Sequence, residues 1–301
     1  MNLLYFLKKN TKISIDSADI NLIKKYSFDS LTSNPSLILN ALLNKSYNSI
    51  LKSFFLNFNK KNLLDSDSNI SFYDKLLVFI ACNLIKFVND KISIEIPARI
   101  SYDYNKIIIY SKKIIFLCNS FGINKDRILI KIPGTDSGIK AAGKLKLFGI
   151  ESNITLIFDI NQVKKCFENG IYIISPFVGR ISDSLNCFFD SGVNFVKNIY
   201  HYKKSFNFKT KIMAASFRNL NQIINLSFCD YITISPIFFE KLINKKNDFN
   251  ILIKKENNIN FNLSYLNLIS SKLLLNGIIQ FEKDHNKLIN LLSFLINNII
   301  N

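Results

Sequence analysis

The sequence predicts an α/β fold, a single (β/α)8 barrel of the TIM-barrel type with an additional C-terminal helix. Short runs rich in β-branched residues alternate with helically periodic segments from one end of the chain to the other. About eight such units favour a parallel sheet closed into a barrel over an open sheet or a sandwich. With 301 residues, the chain suits one barrel, which typically needs roughly 250 residues. We therefore expect residues 1–301 to form a single catalytic domain. A division into two domains is the alternative that the length also allows.

Each predicted strand is a short apolar run bounded by polar or turn-forming residues. The strands are predicted, in chain order, at residues 12–16, 30–33, 92–96, 128–132, 154–158, 171–175, 211–215 and 231–234. The periodic segments between them predict helices at residues 20–26, 35–43, 75–88, 104–121, 137–147, 161–169, 193–203, 219–226 and 236–243. Helix starts support this scheme, because Asn34 and Pro35 match an N-cap followed by the first helical residue. Asp136 or Ser137 likewise opens the helix after the fourth strand.

Two polar stretches, residues 57–71 and 244–260, are predicted as surface loops rather than as domain linkers. From Ser271 onward, an apolar pattern predicts a terminal helix that packs across the barrel. The longest apolar runs, residues 76–88 and 107–116, are interrupted by polar residues well before they reach the length of a membrane span. The start of the chain does not match a signal peptide, because its charges follow a short apolar run instead of preceding it. We therefore expect no membrane segment.

The cysteine content argues against disulfide and zinc chemistry. Five cysteines are an odd number, they lie far apart with no C-x-x-C spacing, and the chain has only two histidines. A reducing, cytoplasmic location fits this composition best. The hydrophobic fraction of 48% also excludes a disordered chain.

The net charge of +17 ordinarily suggests nucleic acid or an anionic surface as a partner. Here the lysines occur as pairs spread along the whole chain, in a sequence heavy in Ile, Asn, Lys and Phe and without Trp. We interpret this uniform bias mainly as an effect of nucleotide composition on codon choice, with a smaller share for attracting anionic substrates. No nucleic-acid partner is expected, and a non-enzymatic anionic-ligand or nucleic-acid binder is kept as an alternative.

Lys131 is the most informative single residue, because it lies inside an apolar run, residues 127–132, that predicts a buried strand. Since side chains alternate along a strand, Lys131 shares a face with Leu129 while Ile130 and Ile132 point to the other side. Lysines are almost never fully buried unless they are paired. A buried amine is suited to forming a Schiff base with a carbonyl compound. The alternative is a solvated lysine on an edge strand, because most lysines in so basic a chain are exposed to solvent.

Catalytic groups of barrels come from the carboxyl-terminal ends of different strands. The polar residues at the predicted strand ends are Asp16, Asn34, Glu95, Lys131, Asn153, Thr155, Ser175, Ser216 and Arg218. An amine, two carboxylates, several hydroxyl groups and an arginine are therefore expected to converge on one face.

Seven segments in order resemble the signature segments of the transaldolase family. They are TSNPSLILNA (32–41), ISIE (92–95), ARISYD (98–103), RILIK (127–131), NITL (153–156), ISPFVGR (174–180) and ASFRN (215–219). Their order, spacing and strand-end placement agree with that family from about Asp16 to the terminal helix. The resemblance implies a cytoplasmic transferase that moves a dihydroxyacetone unit from sedoheptulose 7-phosphate to glyceraldehyde 3-phosphate. It also implies phosphorylated sugar substrates, no metal or organic cofactor, and an oligomeric state that leaves a homodimer open.

The resemblance implies a role for each matched residue. Lys131 matches the Schiff-base lysine, and Asp16 matches the aspartate that exchanges the C4-hydroxyl proton during carbon–carbon cleavage. Glu95 and Thr155 match the pair that holds a proton-relaying water. The remaining matches are hydroxyl-binding or phosphate-proximal positions: Asn34, Asn153, Ser175, Arg180, Ser216 and Arg218.

Each role has a structural alternative that the sequence leaves open. Asp16 and Asn34 are also candidate helix caps. Glu95 is a candidate partner for Arg99 or for a surface lysine. The hydroxyl groups of Thr155 and Ser175 are able to satisfy backbone groups. The two arginines are candidates for structural ion pairs, although a guanidinium binds phosphate well. His201 and His285 are expected to be surface or packing residues.

Phe177 bears on the type of reaction. Fructose 6-phosphate aldolases of the same family carry Tyr at the matching position, so Phe177 favours transfer over free aldol cleavage, as does Glu95. An aldolase-like enzyme remains the alternative. The chain also departs from the family pattern at Pro97, where Asp is usual, at residues 133–137, and at residues 181–192, which form a shorter connection. These departures bear on catalytic efficiency and oligomer contacts more than on the reaction itself.

Overall fold

Eight parallel strands close into a barrel in the order in which they follow one another along the chain. The computed structural model describes residues 3–42, 47–57, 71–185, 190–245 and 263–300. The strands are β1 (Lys12–Asp16), β2 (Ser30–Thr32), β3 (Ile92–Glu95), β4 (Ile128–Pro133), β5 (Ser152–Ile157), β6 (Ile173–Pro176), β7 (Lys211–Ala214) and β8 (Tyr231–Ile234). Closure is made by β8 against β1, with Tyr231 opposite Lys12 and Ile234 opposite Ile15. The expected (β/α)8 fold is confirmed.

Helices follow the strands and cover the outside of the barrel. They are α1 (Leu3–Asn10), α2 (Ile20–Lys25), α3 (Pro35–Leu42), α4 (Asn48–Asn57), α5 (Phe72–Leu84), α6 (Tyr104–Ser120), α7 (Asp136–Lys146), α8 (Ile160–Glu168), α9 (Val178–Leu185), α10 (Ser191–Ser205), α11 (Leu220–Asn225), α12 (Pro236–Asn244) and the terminal helix α13 (Leu263–Ile300). At the start of α7 the capping residue is Thr135, directly before the predicted Asp136 or Ser137, and its hydroxyl oxygen accepts a hydrogen bond from the Gly138 amide.

Three helices in the described part of the chain were not predicted, and α13 begins at Leu263 instead of Ser271. α1 and α9 are eight residues long, and residues 181–185 of α9 had been assigned to a connection. α4 lies in the long connection between β2 and β3, outside the strand–helix alternation on which the prediction rests. The connection at residues 181–192 contains the end of α9 and the start of α10, and residues 186–189 are not among those described. Of the two predicted surface loops, residues 58–70 and 246–260 lie outside the described residues.

The strands build two apolar layers that hold the catalytic face in place. On the outward side of β4, Ile128, Ile130 and Ile132 are fully buried against the helices. On the inward side, Leu129 clusters with apolar residues from β6, β7 and β8 inside the barrel. Because Lys131 is two residues beyond Leu129, it points into the barrel directly above this cluster. An apolar floor therefore supports the amine.

The terminal helix α13 packs across the barrel as predicted, against α3, the turn at Ala98–Ile100 and β5. It approaches β5 so closely at Gly277 that a β-carbon there would lie 2.7 Å from Leu156 Cδ2. Leu156 itself has φ of +57°, at a shift in the β5–β6 register. A larger side chain at this position would crowd Leu156 and Arg180, so glycine leaves room for α13 to lie close to the catalytic face. One turn later, Phe281 is buried there.

Within the described ranges, no helix combines the length and the apolar character needed to cross a bilayer.

Candidate active site

The predicted polar side chains meet at the carboxyl-terminal ends of the strands, where (β/α)8 barrels place their active sites. They line a cavity of about 140 Å³, called here the strand-end cleft. Its lining includes the predicted residues Asp16, Asn34, Lys131, Asn153, Thr155, Ser175, Phe177, Arg180 and Ser216. Glu95 adjoins it through contact with Lys131, and Arg218 adjoins it through a hydrogen bond to Ser216.

Lys131 and Glu95 form a buried ion pair. The Nζ atom of Lys131 lies 3.0 Å from Oε2 of Glu95, and their side chains are only 6% and 5% exposed. The register of β3 and β4 places the two residues opposite each other, and Nζ also donates a hydrogen bond to the Ser33 carbonyl oxygen at 3.2 Å. The edge-strand alternative for Lys131 is wrong, because the barrel is closed and this side chain is buried. The alternative pairing of Glu95 with Arg99 or a surface lysine is also wrong, because Glu95 is buried and its partner is Lys131.

The surroundings of Glu95 favour proton exchange. Burial raises the pKa of Glu95, and the charge of Lys131 opposes that shift. Its Oε1 atom is buried and has no hydrogen-bond partner among the described residues. A carboxyl with a raised pKa accepts and returns a proton more readily near neutral pH than an ordinary glutamate does.

Asp16 faces the same cleft from the end of β1. The Thr32 hydroxyl donates a hydrogen bond to its Oδ1 at 2.8 Å, and Thr32 lies 2.6 Å from the hydroxyl of Thr233. Burial raises the pKa of Asp16, while the charge of Lys131 and the bond from Thr32 oppose the shift. The alternative role as a helix cap is wrong, because Asp19 caps α2.

This raised pKa leads to a prediction about stability. A carboxyl whose pKa is higher in the folded state contributes stability below its unfolded pKa, about 3.9, and loses it as pH rises through the folded value. Asp16→Asn keeps an acceptor for Thr32 but has no charge to desolvate, so we expect it to unfold at higher denaturant concentration than wild type at pH 7. The difference should narrow as pH falls towards 4, as urea titrations at several pH values would reveal. A variant less stable than wild type at pH 7 would contradict this account.

Hydroxyl and amide groups from β3, β5 and β6 are connected by hydrogen bonds inside the barrel. Ser175 Oγ donates to Asn153 Oδ1 at 2.7 Å, and Asn153 Nδ2 donates to Ser93 Oγ at 3.1 Å. Ser175 therefore holds an amide rather than a backbone group. The Thr155 hydroxyl is fully buried without a hydrogen-bond partner in the described part of the chain. Asn34 does accept the amide of Leu37, so it caps α3 while also lining the cleft.

The two arginines lie in different environments. Arg180 lines the cleft, with its guanidinium carbon 5.2 Å from the ring centre of Phe177. Burial and the charge of Arg218 lower the pKa of Arg180, and no carboxylate of the described residues forms an ion pair with it. Arg218 is exposed and contacts Asp183 through Nε at 2.9 Å and a terminal nitrogen at 2.7 Å. The structural ion pair considered for both arginines therefore occurs at Arg218.

Ser216 holds a constrained backbone at the end of β7. Its φ is +62°, in the left-handed region that non-glycine residues rarely occupy. Its carbonyl oxygen accepts the Gly179 amide at 2.8 Å, and a β-carbon at Gly179 would lie 2.2 Å from that oxygen. The start of α9 and the end of β7 are thereby held against each other, which brings Ser216 beside Arg180.

Four lining residues were not singled out as site residues from the sequence: Thr32, Ala215, Thr233 and Phe281. A possible signal for the threonines was a hydroxyl within an otherwise apolar strand. Phe281 had no signal, because it lies on the terminal helix about 150 residues after Lys131. Its ring centre is 5.8 Å from Lys131 Nζ. Of the two histidines, His201 is exposed and His285 is buried, and neither lines the strand-end cleft.

The fold and the cleft define a (β/α)8-barrel enzyme that carries a buried amine beside two carboxylates at its catalytic face. Comparison with known proteins gives the family. The sequence model of the family "Transaldolase/Fructose-6-phosphate aldolase" matches residues 13–292. The chain belongs to this family.

Curated relatives agree with that assignment. A transaldolase of Wigglesworthia glossinidia brevipalpis is 45% identical over 82% of this chain and 80% of its own length. A transaldolase of Baumannia cicadellinicola is 42% identical over 80% of each chain. The transaldolase of Protochlamydia amoebophila is 37% identical over 94% of each. The expectation of an enzyme of the transaldolase type, drawn from the sequence motifs, is confirmed.

Proposed function

We propose that this enzyme moves a dihydroxyacetone unit from sedoheptulose 7-phosphate to glyceraldehyde 3-phosphate, giving erythrose 4-phosphate and fructose 6-phosphate, through a Schiff base on Lys131. The observation that carries the proposal is the buried Lys131–Glu95 pair, 3.0 Å apart, in contact with a cleft that also contains Asp16. Such a site supplies a nucleophilic amine and two separate proton acceptors.

Schiff-base formation is assigned to Lys131 and Glu95. Glu95 takes a proton from the ammonium, and the neutral amine then attacks the substrate ketone to give a carbinolamine. Glu95 returns the proton to the departing hydroxyl group, which leaves as water, and the iminium remains on Lys131. The buried Thr155 hydroxyl, which has no partner among the described residues, is proposed to hold that water together with Glu95.

Carbon–carbon cleavage is assigned to Asp16. Its carboxylate takes the proton of the C4 hydroxyl, the bond between C3 and C4 breaks, and its electron pair moves into the iminium to give an enamine. The aldose product leaves, while the three-carbon unit stays attached until an acceptor aldehyde arrives. Reversal of the same steps forms the new bond. The protonated imine serves as the electron sink, so the proposed sequence of steps uses no metal or organic cofactor.

The test is a coupled transfer assay on purified protein. Erythrose 4-phosphate should form from sedoheptulose 7-phosphate only when glyceraldehyde 3-phosphate is present, with fructose 6-phosphate in equal amount. The aldolase-like alternative predicts free dihydroxyacetone from fructose 6-phosphate without any acceptor. Phe177, which lines the cleft and packs against Phe158 at 5.9 Å between ring centres, has no hydroxyl group to assist such a release.

The phosphate group of the substrate is assigned to Arg180, with Ser216 and Arg218 beside it. Arg180 lines the cleft and has no ion-pair partner among the described residues, so its guanidinium is available to an anion. A charge-assisted hydrogen bond contributes roughly 1.5 to 3 kcal/mol, so Arg180→Ala should lower kcat/KM for glyceraldehyde 3-phosphate by about one to two decades. Unphosphorylated glyceraldehyde should lose much less.

Arg218→Ala is the companion variant, measured with the same two substrates. We expect a smaller loss, because Arg218 is exposed and already contacts Asp183. If either variant loses equal activity towards both aldehydes, that arginine is structural and its assignment to the phosphate should be dropped.

Location and assembly are also part of the proposal. We infer a cytoplasmic enzyme with a single catalytic domain, supported by four described cysteines that are all free and buried. The homodimer stays a prediction. Nucleic acid is not proposed as a partner, and any binding driven by the +17 charge should be non-specific and lost as salt rises.

A further inference from the structure

A second polar cavity lies next to the strand-end cleft, on another side of Glu95. It measures about 40 Å³, and the polar residues in its lining are Ser33, Asn34, Asp74, Glu95, Tyr110 and His285. Lys131 and Thr155 do not line it. We call it the Glu95–His285 chamber. Pro97 lines it too and brings no side-chain hydrogen-bonding group.

Three buried polar atoms of residues that line this chamber have no hydrogen-bond partner among the described residues: Oε1 and Oε2 of Glu95 and Nε2 of His285. Oε2 is in ionic contact with Nζ of Lys131 at 3.0 Å, which leaves Oε1 for a partner in the chamber. The side chains of Glu95 and His285 are at least nine-tenths buried, with exposures of 5% and 3%. Such atoms are costly unless water or protein satisfies them. The nearest charged partner of His285 is Asp74, whose Oδ1 lies 3.7 Å from Nε2. That distance is too long for a direct hydrogen bond, so Nε2 needs another partner, which a water in the chamber is able to supply.

The chamber is large enough for such water. A buried water needs roughly 10–15 Å³ of accessible volume and two to four polar partners, and the chamber offers about 40 Å³ and several polar groups. Burial lowers the pKa of His285, while Asp74 opposes that shift, and the net shift favours the neutral imidazole. A neutral imidazole has one donor and one acceptor nitrogen, and water is able to complement either one.

We propose that the Glu95–His285 chamber binds ordered water that links Oε1 of Glu95 to Nε2 of His285, and that His285 is a positioning residue for the Glu95 carboxyl group. The terminal helix carries both Phe281 and His285, four residues apart and therefore on one face. Phe281 faces Lys131, and His285 faces the chamber behind Glu95. The water donates a hydrogen bond to Oε1 and thereby holds Oε2 towards Lys131. The proton is exchanged at Oε2, and none passes into the chamber.

The proposal has a consequence for the pH profile. A hydrogen bond from water to the ionised carboxyl favours the charged form, so its loss raises the pKa of Glu95. The titratable or charged groups around Glu95 and His285 are Asp16, Asp74, Arg99, Tyr110, Lys131, Arg180 and Glu282. A substitution at His285 leaves all of these other groups in the protein, so a change in the pH profile is assigned to the loss of the imidazole.

The experiment compares His285→Leu, His285→Gln and the control Asn286→Leu, which is exposed on the same helix. Removal of one hydrogen bond to an ionised group changes a pKa by about one unit or more, so the acidic limb of kcat/KM should move up by about one pH unit in His285→Leu. At pH values below that limb, kcat/KM of His285→Leu should be about tenfold lower than that of wild type. His285→Gln retains a polar group for the water and should keep the wild-type limb, as should Asn286→Leu.

This inference rests on the proposed Schiff-base function. Different results would contradict the function and the role of His285. Wild-type protein that borohydride cannot trap on Lys131 overturns the function. Trapped wild-type protein with an unshifted limb in His285→Leu, or with equal shifts in the Leu and Gln variants, overturns only the role of His285. If His285→Leu does not fold, a high-resolution crystal structure of the wild type decides: water within hydrogen-bond distance of both Oε1 and Nε2 supports the proposal, and its absence overturns it.

Discussion

Replacing Lys131 with alanine is expected to remove the covalent intermediate and to lower turnover by about 10⁴-fold or more. The reason is that the amine is the nucleophile in Schiff-base formation, and the iminium that it forms is the electron sink in carbon–carbon cleavage. Both steps therefore depend on Lys131. Borohydride reduction of wild-type protein with fructose 6-phosphate should attach a dihydroxyacetone-sized mass to the peptide that contains Lys131. The alanine variant should acquire no such mass.

Lys75 provides the matched control for this experiment. It is a second buried lysine, 8% exposed on α5, and it does not line the strand-end cleft. Lys75→Ala should therefore be trapped as wild type is, whatever its effect on stability. Labelling of another lysine, or equal labelling of the Lys131→Ala protein, would remove Lys131 from the mechanism.

Replacing Asp16 with alanine is expected to separate cleavage from Schiff-base formation. Asp16 is proposed to act only on the C4 hydroxyl, while Lys131 and Glu95 remain paired without it. Turnover should fall by at least about 10²-fold, the low end for a general acid or base. Borohydride should still trap the variant, and the trapped mass should be that of the whole sugar phosphate, because the bond between C3 and C4 is not broken.

Asp19 is the control for this variant, because it lies three residues further along the chain and caps α2 instead of lining the cleft. Asp19→Ala should cost about 0.5–2 kcal/mol in the free energy of unfolding. Its trapped adduct should carry the three-carbon unit, as in wild type. Wild-type turnover in Asp16→Ala, or a three-carbon adduct formed at the normal rate, would show that another group takes the C4 proton.

The sequence by itself determined the order of the strands and the identity of most cleft residues. Most of the eight strands lie in short runs rich in β-branched residues, such as Ile128 to Ile132, and parallel strands bring their carboxyl ends to one face of a barrel. A lysine in such a run, in a chain with carboxylates and hydroxyl groups at other strand ends, was therefore recognisable without coordinates. The helix α9 was missed, because residues 181–185 were assigned to the connection that follows β6.

Only the tertiary structure decided which partner each polar group meets. Asp16 and Asn34 were both candidate helix caps, but Asp19 performs that role for α2, while Asn34 caps α3 and lines the cleft as well. Arg180 and Arg218 are the same residue type and had the same predicted role, yet Asp183 forms an ion pair with Arg218 and not with Arg180. Phe281 and His285 reach the site from the far end of the chain, because Gly277 lets α13 approach β5. These outcomes depend on distances across the barrel, which close packing sets and local sequence patterns do not encode.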